Sequence, residues 1–172
     1  LTNFDFSCKD SDTLSFCKNL EHLGMDTCDE KLDFLKPLTK LESFDIVSFP
    51  HNNCFDFSNL EHLKNLSVLR VSGGYISDME LVNTDALLNL PNLKELHFHE
   101  FGSVDLSPLR QMEQLEFFFC GYADEVRNID ALKYLTNLNH LELIDIEVDN
   151  LNFLDNFPDD IEIELSLNIK ND

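Results

Sequence analysis

The chain has 172 residues, of which 33 are acidic and 12 basic, for a formal net charge of −21. So acidic a surface repels nucleic acid and anionic membranes and draws basic partners across a Debye length. Hydrophobic residues make up 43% of the chain, enough for a packed core and against a disordered one, while no apolar run reaches the roughly 18–20 residues of a membrane span.

Taken from the N-terminus, one short phrase, leucine-x-x-leucine-x-leucine or a close variant, recurs at roughly 19 to 27-residue intervals. Its anchors are Leu1, Phe4 and Phe6, then Leu20, Leu23 and Met25, then Leu41, Phe44 and Ile46. Further copies carry Leu66, Leu69 and Val71; Leu93, Leu96 and Phe98; Leu115, Phe118 and Cys120; and Leu138, Leu141 and Leu143. A degraded copy closes the series at Ile161, Ile163 and Leu165. Apolar residues three apart suit a tight 3₁₀ or α turn, and residues two apart suit a strand with one buried face. The phrase therefore predicts a stack of turn-and-strand rungs. Two rungs carry longer arcs, through Phe49, Pro50, His51, Asn52, Asn53 and Cys54, and from Gly73-Gly74-Tyr75 to Asp85. Both read as tolerated insertions. The alternation from Ile161 to Ile169 predicts a final strand with one buried face and a polar finish. Leu1 stands inside a phrase with no initiating Met, so the expected domain is a single solenoid over 1–172, shortened at its N-terminus.

These phrases resemble the leucine-rich repeat family over essentially the whole chain. The rung Leu132, Leu135, Leu138, Leu141, Leu143 is similar to the 22-residue type of internalins and protein-phosphatase-1 regulator subunits. The resemblance implies an α/β solenoid: a right-handed horseshoe of about seven or eight rungs, with a parallel β-sheet on the concave face and short helical or 3₁₀ segments on the convex face. It also implies an Asn or Cys three residues beyond the last strand anchor. The chain departs from that pattern, with Lys9, Cys28, Phe49, Gly74, Phe101, Ala123 and Ile146 there. Only Cys28 fits. Cys8, Cys17, Cys28, Cys54 and Cys120 form no CxxC pair. Cys17 and Cys120 take apolar positions of the phrase, which suggests buried free thiols and a cytoplasmic, reducing setting.

In such a solenoid the residues between and just after the anchors face the concave side, which the resemblance implies is the binding surface. One ladder then runs Gly24, Asp45, Arg70, His97, Phe119, Glu142, Glu162; a second runs His22, Ser43, Val68, Glu95, Phe117, His140, Asp160; a third runs Asp26, Val47, Ser72, His99, Gly121, Ile144, Glu164. Carboxylates recur, and Arg70 is the one fixed positive charge in these ladders. Phe117, Phe119 and Tyr122 make an aromatic cluster on one rung, suited to anchor a partner. His97, His99 and Glu95 share one side, but His140 is two rungs off at about 10 Å, too far for a compact zinc site. No nucleophile motif, phosphate-binding loop or HExxH is present. The expected protein is a non-catalytic interaction module without cofactor or metal. Its basic protein partner would meet Phe117, Phe119, Tyr122, His97, His99, Arg70, Asp45, Glu95 and Glu142. Alternatives are an adhesion segment of a larger internalin-like secreted protein, an acidic inhibitor or immunity-type protein, and a structural spacer.

Overall fold

A computed structural model of the protein describes residues 11–27, 32–48, 53–74, 78–155, 157 and 159–169. The phrase over residues 1–6, Cys8, Cys28, most of the first long arc and Tyr75 lie outside them. Among the described residues, a single helical turn, α1 (Ser11–Leu14), is followed by nine strands: β1 (His22–Thr27), β2 (Ser43–Ser48), β3 (Cys54–Asp56), β4 (Val68–Ser72), β5 (Glu80–Val82), β6 (Glu95–Asp105), β7 (Phe117–Arg127), β8 (His140–Val148) and β9 (Glu162–Ile169). Short 3₁₀ segments span Asp33–Leu35, Phe57–Leu60, Thr84–Asn89, Ser107–Gln111, Ile129–Tyr134 and Asn152–Leu154. The phrase's switch of period thus becomes strand and 3₁₀ turn, as the sequence predicts.

All the described pairings are parallel, in the order β1-β2-β4-β6-β7-β8-β9. The register places anchor beside anchor. Leu23, Phe44, Leu69, Leu96, Phe118 and Leu141 form one row, and Met25, Ile46, Val71, Phe98, Cys120 and Leu143 form another. Every residue in both rows is buried. Phe98 is the aromatic hub, with ring centroids 5.6 Å from Phe57, 6.1 Å from Phe101 and 5.9 Å from Phe118. Burial pushes the Cys120 thiol far above its ordinary pKa, so it behaves as an inert apolar side chain.

The long arcs are not plain insertions. Each carries a second strand, β3 or β5, and these pair with each other and onward to Ser103 and Val104 of β6. The long strands β6 and β7 supply the same strip themselves, pairing again at Ser103–Glu125, Val104–Val126 and Asp105–Arg127. They turn between the two strips at residues in the left-handed region: Glu100 (φ 51°), Tyr122 (φ 57°) and, on β8, Asp145 (φ 49°). All three lie two residues past the last anchor, so the conformation is a repeated corner and not a peculiarity of one site.

Two hydrogen-bonded seams replace the missing family ladder. Just ahead of the strands, the Nδ2 groups of Asn65, Asn92 and Asn137 donate to the carbonyls of Thr39, Lys64 and Glu113, each at 2.8 Å. At the entrance to the outer arcs, Asp56 accepts from the Ser58 N–H and Asn83 Nδ2, both at 2.9 Å. Asp105 accepts likewise from the Ser107 N–H and Asn128 Nδ2, both at 2.8 Å. Burial alone would raise these two carboxyls; the hydrogen bonds outweigh it and hold both below the usual carboxylate pKa. Where the family pattern expects Asn or Cys, Phe101 and Ile146 are buried instead.

Four further expectations change. Cys17 is exposed, because its turn has a neighbouring arc on one side alone among the described residues. Cys54 is half-buried. On β9 the apolar row is not covered: Ile163 and Leu165 are each 38% exposed and Ile169 is 52% exposed, since among the described residues β9 pairs on its β8 side alone. The eighth phrase is also shifted by two residues, with Glu162 beside His140 and Glu164 beside Glu142.

Phe98→Ala should cost about 3–5 kcal/mol, as an aromatic cavity does, and Asn137→Ala about 1 kcal/mol, the worth of one net hydrogen bond. Urea unfolding followed by circular dichroism checks both.

Candidate functional site

The residues alternating with the buried anchors point away from the core, because the side-chain period of a strand is two. The register brings Gly24, Asp45, Arg70, His97, Phe119 and Glu142 into one ladder, with His22, Ser43, Val68, Glu95, Phe117 and His140 alongside. The third ladder is Asp26, Val47, Ser72, His99, Gly121 and Ile144. Phe117 and Phe119 are half-buried while Phe118 between them is wholly buried, so both rings stand on the open face.

These rings form a continuous column. Phe117 is sandwiched between the imidazoles of His97 and His140, at centroid distances of 4.6 Å and 4.5 Å and interplanar angles of 19° and 10°. Phe119 stacks on His97 at 6.0 Å and His99 at 5.7 Å, and Tyr122 meets His99 edge-on at 5.0 Å. Tyr122 owes its 47% exposure to the left-handed corner, which turns it out at the rim. Gly121 makes room for Phe119: a Cβ at 121 would come within 2.8 Å of Phe119 Cζ and 3.1 Å of the Ile144 carbonyl oxygen. The sequence ladders do not reveal this column, since the histidines appear there as separate polar positions. The signal was present in the repeated aromatic character of adjacent rungs. Phe117 also fills the space between His97 and His140 that a shared metal would need.

Charged groups brace the column at both ends. Arg70 is held between Asp45 and Glu95, at 3.0 Å from each. It is therefore neutralised by its neighbours and does not stand as a free cation. His140 faces Glu142 through Nε2 at 2.6 Å and Glu162 through Nδ1 at 3.2 Å. His97 has the opposite environment. Its Nε2 is buried and has no hydrogen-bond partner among the described residues, with Glu95 at 3.8 Å beyond hydrogen-bonding reach. Burial and then the Arg70 charge lower its pKa to about 4, so the ring is neutral at pH 7 and stacks as an aromatic.

Beside the column, the small side chains of Gly24, Val47 and Ser72 leave a hollow of about 670 Å³. Asp26, Asp45, Arg70, His97, His99, Phe117, Phe119, Tyr122 and Glu142 also line it. Eight of the nine residues expected at the site share this hollow, and Glu95 reaches it through Arg70. The open hollow can hold side chains of another molecule. Among the described residues no group of three or more His, Cys, Asp or Glu is arranged to hold a metal ion.

No family model matches the sequence, and no curated protein matches it at a significant level. Solved structures do. Internalin C2 from Listeria monocytogenes is 20% identical with a TM-score of 0.61, over 90% of this chain and 74% of that one. An internalin, InlF, from the same organism is 20% identical with a TM-score of 0.44, over 90% of this chain and 55% of that one. The likeness to internalin C2 makes the fold a leucine-rich-repeat horseshoe, with the ladders above on its concave face.

Since the folded state lowers the His97 pKa to about 4 from its ordinary value of 6.5, the unfolded state binds the extra proton between those values. The native state is therefore favoured above pH 6.5 and loses ground as pH falls toward 4. His97→Phe should flatten the fall in urea midpoint between pH 7 and pH 5. Gly121→Val should lift the Phe119 ring, seen as loss of ring-current shifts on the His99 signals by NMR.

Proposed function

We propose that the protein is a non-catalytic docking module that takes the basic surface of a partner protein on its concave face. The observation that carries this is the column of six rings set within a strongly acidic surface. Aromatic side chains fixed at the centre of a surface supply binding energy once water is excluded around them. The carboxylates around the column, backed by the net charge of −21, would guide a basic partner in and fix its orientation. His97 and His140 hold the Phe117 ring in place before binding, so little side-chain entropy remains to be lost on association. The open sheet face that carries the column suits protein contact better than catalysis, which favours a closed, water-excluding pocket.

The test uses the basic protein that the immobilised 172-residue chain retains stoichiometrically from source extract and releases at high salt. Phe117→Ala with Phe119→Ala should weaken binding by at least about 30-fold, the effect of losing about 2 kcal/mol at an interface centre. Asp45→Lys with Glu142→Lys should mainly slow association. Tyr122→Gly separates binding from folding. It relieves a left-handed, non-glycine corner, so stability should hold or rise by up to about 1 kcal/mol while affinity drops. An unchanged dissociation constant in the double phenylalanine variant would remove the proposal.

A further inference from the structure

We infer that the hollow beside the ring column is an arginine seat, taking the guanidinium of a partner's side chain against the rings in the field of the Asp26, Asp45 and Glu142 carboxylates. This rests on the docking reading of the same face and names the group that the face selects.

Three observations meet there. The floor is low: Val47 and Ser72 lie in register between Asp26 on β1 and His99 on β6, so a planar group has room above them. The wall is aromatic, formed by His97, His99, Phe117, Phe119 and Tyr122. The charge is negative, with Asp26, Asp45 and Glu142 lining the hollow, and Arg70, the single Lys or Arg among its described lining residues, is already shared between Asp45 and Glu95 at 3.0 Å. A positive group is drawn by the carboxylates, and a planar one gains further from the ring faces. Arginine has both properties and sheds its hydration more readily than the compact ammonium of lysine. The fold already uses this recognition on itself, since Arg70 fans two nitrogens to two carboxylates beside the His97 ring. A neutral His97 adds ring surface without opposing charge.

The experiment titrates the 172-residue chain with acetylated, amidated tri-arginine, tri-lysine and tri-citrulline peptides, followed by aromatic NMR signals and calorimetry. Tri-arginine should shift the Phe119, Tyr122 and His99 signals and bind at least about 5-fold tighter than tri-lysine, with tri-citrulline, planar but uncharged, silent. Val47→Phe, which fills the floor on an open strand face, should weaken tri-arginine at least about 10-fold, and Asp26→Asn with Asp45→Asn should do the same. Equal affinity for arginine and lysine peptides, or shifts confined to residues outside the hollow, would overturn the inference. The docking reading fails separately. If Val47→Phe leaves capture of the protein partner intact while Phe117→Ala with Phe119→Ala abolishes it, the arginine seat falls and docking stands. If neither variant changes capture, docking falls as well.

Discussion

The in-register parallel pairing of buried anchors is the constraint on which the rest of the molecule depends. Once Leu69, Leu96, Phe118 and Leu141 lie side by side in the interior, the two-residue period leaves their neighbours no choice of side. Phe117 and Phe119 stand on the open face because Phe118 cannot. A slip of one residue would drive Arg70, Glu95, His97 and Glu142 inward and turn the phenylalanines of the core out. The desolvation cost of those charges, added to the lost apolar burial, excludes that alternative. The hydrophobic spine therefore fixes the composition of the opposite surface without touching it.

That surface combines two kinds of interaction that are weak when exposed and gain by mutual support. The ion pairs of Arg70 are partly solvated and contribute little to stability taken singly. Their effect is on geometry, since they hold a long side chain down beside His97. The imidazole–phenyl–imidazole stack acts similarly on Phe117, a large ring that would otherwise sample several rotamers in water. His140, facing a carboxylate at each ring nitrogen, and His97, with an unpartnered buried nitrogen, flank the same ring in opposite electrostatic settings.

The rungs, their strands and the three outward ladders were legible in the sequence, because leucine spacing reports directly on which side chains are buried. What escaped was governed by backbone detail. Cys54–Asp56 and Glu80–Val82 are too short to show a period, and they are strands because the ends of β6 and β7 extend the same strip. The seam of Asn65, Asn92 and Asn137 is visible as a recurrent Asn-Leu pair, but spacing does not encode which carbonyl of the neighbouring rung each amide meets. The shift of the eighth phrase arose where Ile161, Ile163 and Leu165 alternate evenly, so that alternation gives the face and not the register. Stacking of His97 and His140 on Phe117 depends on rotamers, which spacing does not encode. The exposure of Ile163 and Leu165 depends on what lies across the strand edge, which lies beyond any local pattern.

The two hydrogen-bonded seams have a mechanical consequence. Each crossing side chain ties one rung to its neighbour, so adjacent strands cannot shear past one another without breaking a row of such ties at once. The face they carry is a graduated scale, with divisions of about 4.8 Å set by strand spacing. An α-helical turn advances about 5.4 Å, so a helix laid across the divisions falls out of step by about one C–C bond length every three rungs. A loop, free to adjust its own pitch, can keep step with every division.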